Sequence, residues 1–345
     1  MYRQQFQVGY EQEVIEDLVL GVNWLHQDLG RTVEDISTNG GLNYLVANPG
    51  ESVSGRDLAR QQQTCSDLQQ RFDAAEQDDP GRDVLAREVQ HCNFLADAFT
   101  KVGTLFPKPT RNYDAWTLRI QKRFARSWLL QASYTYSRLL GNYDGFVTRN
   151  TGAINLGAST QYDLPDLVRN SFGPLFDNRP HLAKLDAFYT FDLRGAGRLT
   201  LGGSLRFQSG SPISLYADNN RYRGQFVNYL LPRGAGGRLE PNYFANISVS
   251  YAYPLPRELE LEVTARLANL TNARAVLRVD EVYSFSTARA VAGGDLEDLK
   301  HTKIQSPNAP TSFFRREIVP RQGNFGVQTV FQQPVQVQFE LRLRF

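Results

Sequence analysis

Two cysteines, four histidines and one run of alternating charge are the residues of this chain that could do chemistry. Cys65 and Cys92 could form a bridge or remain two reduced core thiols. The histidines stand at 26, 91, 181 and 301, far apart and without a His-x-x-x-His spacing, so no metal set is expected. No Gly-x-Ser-x-Gly elbow is present, and no glycine-rich phosphate loop precedes a helix. Glu258, Glu260 and Glu262 alternate with apolar residues, as do Arg342 and Arg344. Such spacing places the charges on one face of an extended strand, where they can pair across strands. The expectation is a structural charge ladder, with Glu258 and Glu260 meeting Arg344 and Arg342. No catalytic, cofactor-binding or metal-binding residue is legible, and the chain reads as a non-enzyme.

The elements that must carry these residues are strands. Segments of about ten to twelve residues place apolar side chains at every second position, then break at polar residues. Nine can be read, and a period of two gives each one greasy and one polar face. They run through Phe6–Tyr10, Leu18–Trp24, Trp116–Phe124, Trp128–Tyr136, Ala183–Leu193, Leu199–Phe207, Tyr243–Tyr253, Leu259–Leu267 and Val335–Phe345. Connections alternate between a few residues, such as Ala125-Arg126-Ser127, and long stretches near 29–112, 139–179, 210–240 and 271–334. Short turns on one side and long loops on the other imply an outer-membrane β-barrel, with periplasmic turns and extracellular loops. A soluble β-sandwich, the competing fold, would have shorter strands and no such asymmetry.

Composition agrees. Aromatics make up 12% of the 345 residues, and mean hydropathy is negative. No apolar run of about 18 residues occurs, which excludes a helical membrane protein. Barrels have low mean hydropathy because only alternate strand residues meet lipid. Net charge is +2 with both signs interspersed, so no nucleic-acid partner is expected. Met1-Tyr-Arg-Gln-Gln-Phe6 has no apolar h-region, so either the chain is cytoplasmic or a secretion signal lies upstream of it.

Aromatics collect toward strand ends. Phe124, Trp128, Tyr253 and Phe345 are expected at the periplasmic interface, and Trp24, Tyr136, Phe207 and Tyr243 at the extracellular one. The last strand, with Val337, Phe339, Leu341, Leu343 and a terminal Phe345, resembles the β-signal read by the barrel-assembly machinery. Strand addition to an open edge suits such recognition.

Several segments resemble the C-terminal half of Oar-like TonB-dependent receptors. They are Tyr113-Asp-Ala-Trp-Thr-Leu-Arg-Ile-Gln-Lys-Arg-Phe124, Trp128-Leu-Leu-Gln-Ala-Ser-Tyr-Thr-Tyr-Ser-Arg138 and Gly141-Asn-Tyr-Asp-Gly145. Phe176-Asp-Asn-Arg-Pro-His181 and Asn269-Leu-Thr-Asn272 are similar to the family in the same order. The resemblance covers most strands and thins in the long loops. It implies an all-β, antiparallel barrel of about 22 strands around an N-terminal plug, with these nine as the last. It also implies transport powered through TonB. Nine is an odd number and no plug is legible, so residues 1–345 are expected to be a partial barrel domain or one product of a split gene. The rival is a non-energised porin or adhesin barrel.

One long loop departs from the strand period. Leu58, Cys65, Leu68 and Phe72 follow helical spacing, as do Leu85, Val89, Cys92, Leu95 and Phe99, with Asp79-Pro80-Gly81 between them. A helical insertion is expected over about 55–103. In an antiparallel pair the two cysteines come roughly level, and an extracellular loop is oxidised, so a Cys65–Cys92 disulfide is expected. Other loops, such as Asn219-Asn-Arg-Tyr-Arg-Gly-Gln225, read as ligand-contacting. His181 beside Arg179 reads as structural, at the barrel rim.

Overall fold

A computed structural model describes residues 2–145, 147–148, 153–154, 159–219, 226–257, 259–305 and 314–345. Among these, nine long strands form one continuous antiparallel sheet in chain order. We label them β1 (Tyr2–Ile15), β2 (Leu18–Arg31), β3 (Arg111–Ala125), β4 (Trp128–Gly141), β5 (His181–Asp192), β6 (Arg198–Gln208), β7 (Asn242–Pro254), β8 (Glu260–Ala268) and β9 (Gln336–Arg344). Each hairpin joins nearest neighbours, so the meander follows directly from the short turns. At Arg126-Ser127 both residues take positive φ, +54° and +72°. That matches a two-residue turn whose twist suits the flanking strands. Gly197 also has positive φ, and a side chain there would strike the carbonyl of Ala252.

Register aligns the apolar residues in rows. Trp24, Trp116, Tyr136 and His181 lie side by side on β2 to β5. One row nearer the turns come Tyr10, Val22, Leu118, Tyr134, Ala183, Phe207 and Tyr243. Among the described residues nothing packs on this face: Leu205 and Ile247 are each 42% exposed, and Phe339 is 77% exposed. The second layer of a soluble sandwich would bury them. Toward the short turns, Trp128 pairs with Tyr189, and Tyr253 lies in register with Leu261 and Leu343.

Phe124 departs from the expected girdle. A register shift between Lys122 and Ala125 bulges β3, and an extra residue re-aims the side chains beyond it. Phe124 consequently stacks on Phe188 at 5.6 Å between ring centroids. Phe188 belongs to the polar face, in register with Gly202, which in turn faces Ser248 and Arg266. Alternation alone assigned Phe124 to lipid; the bulge turns it inward. Lys122, on the outward phase, is 7% exposed and bends back to the Arg123 carbonyl, with its ammonium 5.1 Å from the Trp128 ring. This is how a long cation at an interface keeps its head polar and its stem apolar.

The sheet is open. Among the described residues β1 and β9 are its two edges and are not paired with each other. The four long connections fold together above one end of the sheet. The first carries helices α1 (Gly55–Ala74) and α2 (Arg82–Leu105), reaching two residues past the expected insertion. Ser54 caps α1 by accepting from the backbone N–H of Asp57. Phe94, Ala98 and Val102 of α2 enter a core with Leu29, Ile36, Tyr143 and Tyr162. A second core joins Leu215, Leu230 and Leu231 with Ala288, Leu299 and Val319.

Candidate functional site: the inner wall and the loop cap

Side chains opposite the lipid-facing rows build a polar wall. Hydroxyl pairs bridge neighbouring strands at Thr117–Thr135, Thr190–Thr200 and Ser250–Thr264, all within 3.1 Å. Charges alternate between them. Glu11 meets Arg119 at 3.1 Å, Asp186 meets Arg206 at 2.7 Å, and Arg266 meets Glu340 at 2.7 Å. These groups are roughly half exposed, so each pair contributes a few tenths to about 1 kcal/mol.

The expected ladder forms a larger network with another register. Glu260 stands opposite Arg344 and Glu262 opposite Arg342, two residues along from the expected pairing. Arg344 lies 3.3 Å from Glu260 and 2.7 Å from Glu262, Arg342 lies 3.8 Å from Glu262, and Arg198 reaches Glu260 at 2.5 Å. Glu258 falls outside the described residues. A two-residue slip leaves every side chain on its own face, so alternation could not distinguish the two registers. In the observed register Leu261 lies opposite Leu343 and Val263 opposite Leu341.

The resemblance segments have structural work at the extracellular rim. Asn269 takes positive φ, and its carboxamide donates to the carbonyls of Ala273 and Gln333. The Asn272 carboxamide accepts from the N–H of Val335. Together they pin the chain leaving β8 to the chain approaching β9. Arg179 donates to the Ser209 carbonyl, and its own carbonyl accepts from the Ser137 hydroxyl. His181 sits on the lipid-facing side, stacked on Tyr134, with Nδ1 at 2.7 Å from that phenol oxygen.

The cap is held by buried polar groups. Arg233 and Asp144 form a two-pronged ion pair at 2.5 and 2.9 Å, with side chains 2% and 8% exposed. The Tyr229 phenol donates to Asp144 and accepts from Tyr216, while Arg233 lies 4.6 Å from the Tyr229 ring centroid and donates to the Ser171 carbonyl. Burial opposes the Arg233 charge, but Tyr229 and Asp144 outweigh it and its pKa rises. Burial also pushes Tyr216 and Tyr229 well above the ordinary phenol value. The network joins the second long loop to the third, and Asn170 extends it by donating to the carbonyls of Leu230 and Val291.

A separate polar cluster joins the first loop to the second. Glu34 is fully buried and accepts from the Ser159 backbone N–H at 2.5 Å. Among the described residues its Oε1, the Ser159 hydroxyl and the Tyr162 phenol have no hydrogen-bond partner. Burial raises the Glu34 pKa, against the lowering effect of bonds from Tyr143 and Ser159.

Sequence reasoning did not find Asp144 and Arg233. Asp144 lies inside the quoted Gly141–Gly145 segment, but nothing in the sequence links it to Arg233, 89 residues away. Cys65 and Cys92 are brought together, with Cα atoms 5.4 Å apart in a disulfide. Val337, Phe339, Leu341 and Leu343 all lie on the exposed apolar face of edge strand β9, and Phe345 follows it. Of Asn219–Gln225, positions 220–225 lie outside the described residues. Among the described residues no cluster of three metal-ligating side chains occurs.

The chain is 28% identical over 343 residues to the TonB-dependent transporter Oar of Myxococcus xanthus. That alignment covers 98% of this chain and 27% of the relative, so the chain spans about a quarter of that protein. Among solved structures, the outer membrane transporter YddB from Escherichia coli has TM-score 0.42 and 11% identity, over 80% of this chain and 29% of that one. The ferric-catecholate import receptor Fiu from E. coli K12, in its closed form, has TM-score 0.39 and 11% identity, over 81% and 24%. The family model described as an outer membrane beta barrel domain matches residues 1–256. With an exposed apolar outer face, a charged inner face and interlocked outer loops, this chain belongs to the outer membrane β-barrel domain family.

Proposed function

We propose that the chain supplies part of the wall and the loop cap of a TonB-dependent transporter, which moves a ligand inward or outward across the outer membrane of a Gram-negative bacterium. The match to Oar along 98% of the chain carries this reading. The architecture gives each part a role. Alternating Leu, Val and Tyr hold the wall in hydrocarbon. The ion-paired inner face packs against a plug that contacts TonB, and the cap receives the ligand. Further strands complete the sheet at the β1 and β9 edges to about 22, because open edges are not tolerated in lipid. Val337 to Phe345 present the β-signal to the barrel-assembly machinery. The role is non-enzymatic, and peptide or protein cargo fits the Oar likeness at least as well as an iron chelate.

The test uses the full-length outer-membrane protein with a photo-crosslinker replacing Lys184, which lies between Ser133 and Arg206 on the inner wall. A plugged transporter gives a protein crosslink from position 184 and no steady conductance in planar bilayers. An open porin or adhesin barrel gives no such crosslink, and a porin adds a stable channel; either result overturns the proposal.

A further inference from the structure

Three polar atoms at one place inside the loop cap lack a partner. Glu34 Oε1, the Ser159 hydroxyl and the Tyr162 phenol make no hydrogen bond among the described residues, and the three residues are at most 2% exposed. They are close neighbours. The Ser159 N–H donates to the other Glu34 oxygen at 2.5 Å, Tyr143 hydrogen-bonds Glu34, and the Tyr143 and Tyr162 rings meet edge to face with centroids 6.0 Å apart. The buried Thr32 hydroxyl donates to the Tyr143 phenol at 3.3 Å. The Ser37 N–H bonds the Asp163 carbonyl at 2.8 Å, which fixes the short strand Glu34–Ile36 against the turn Thr160–Tyr162.

A proton on Glu34 does not complete this cluster. The neutral acid brings one donor, but Oε1 has no acceptor within bonding distance, and both hydroxyls stay unpaired. An atom lodged between the groups satisfies all three. Water there would supply hydrogen bonds but no counter-charge to a buried carboxylate. Among the described residues no Lys, Arg or His pairs with Glu34, and Asp35 nearby carries the same sign. Arg111 bonds the Tyr143 carbonyl, and Arg233 is committed to Asp144. The available ligands are all oxygens, from one carboxylate and the hydroxyls of Ser159, Tyr162, Tyr143 and Thr32. Oxygen sets suit hard cations rather than transition metals. A single carboxylate neutralises a single positive charge.

We propose that Glu34, Ser159 and Tyr162 hold one monovalent cation, of the sodium or potassium class, that locks the first long loop to the second. The site lies wholly within the cap and does not depend on the transporter reading. Burial opposes ionisation of Glu34 in the ion-free protein. A bound cation removes that opposition, and so restores at neutral pH the protection that deprotonation alone takes away.

The experiment follows hydrogen exchange at the Ser159 amide in the detergent-solubilised full-length protein at neutral pH. Choline, sodium, potassium and calcium chlorides are compared at equal ionic strength. The expected result is a saturable slowing in sodium or potassium relative to choline, about tenfold when the cation stands at ten times its dissociation constant. Glu34→Gln, which keeps an acceptor and loses the charge, abolishes the slowing, and Tyr162→Phe weakens it. Equal exchange in choline, sodium and potassium overturns the site and leaves water alone in the cluster. A response to calcium only, or one that Glu34→Gln retains, overturns it equally.

Discussion

Replacing Asp144 with alanine should loosen the loop cap and leave the strand wall intact. Asp144 is the only carboxylate bonded to Arg233 among the described residues, and both side chains are at most 8% exposed. The substitution strands a guanidinium in the interior with the Ser171 carbonyl and the Tyr229 ring as its remaining neighbours. Removing one member of a buried pair costs about 3–5 kcal/mol, since the orphaned charge keeps its desolvation penalty. That free energy corresponds to roughly two to four orders of magnitude in opening equilibrium. Hydrogen exchange of the detergent-solubilised protein should show this loss at Arg233 and Leu230, whose amides bond to the carbonyls of Asn170 and Leu215. Amides in β5 and β6 should be unchanged. Asp144→Leu combined with Arg233→Met should restore most of the protection, because an apolar pair leaves no unpaired charge. Protection within about threefold of wild type in Asp144→Ala would refute the reasoning, since breaking a buried ion pair costs far more.

Reducing Cys65–Cys92 should destabilise the helical hairpin by roughly 3–4 kcal/mol in the chain-entropy model for a closure spanning 27 positions. Faster proteolysis near Asp79-Pro80-Gly81 with reductant checks this, and an unchanged rate contradicts it. Leu205→Arg, on the lipid-facing side, should cost about 2–4 kcal/mol in folding into bilayers, whereas Ser204→Arg on the inner face should cost far less. Equal costs would contradict the assigned faces. Glu34 has a folded pKa raised above its ordinary 4.5 by burial. Its contribution to cap stability is therefore complete below that ordinary value and is lost as pH rises through the folded one. Exchange at Ser159 followed from acid to neutral pH should show protection falling, and Glu34→Gln should flatten the profile; an identical profile in both proteins would contradict it.

The sequence by itself determined the strands, their order and their two faces. A period of two, punctuated by short turns, leaves few other ways for these segments to bury or expose their side chains, and the nearest-neighbour meander needs only short turns. The helical insertion was equally legible, since it depends on local periodicity around Asp79-Pro80-Gly81. Tertiary structure decided what local periodicity cannot carry. Register of β9 on β8 differs from the expected one by two residues because that slip preserves facing. Phe124 turns inward because a bulge changes phase without changing composition. Asp144 and Arg233 meet, as do Glu34 and Ser159, because loops far apart in sequence fold over one another. The energy of such contacts lies in burial and pairing between distant residues, and no spacing along the chain encodes it.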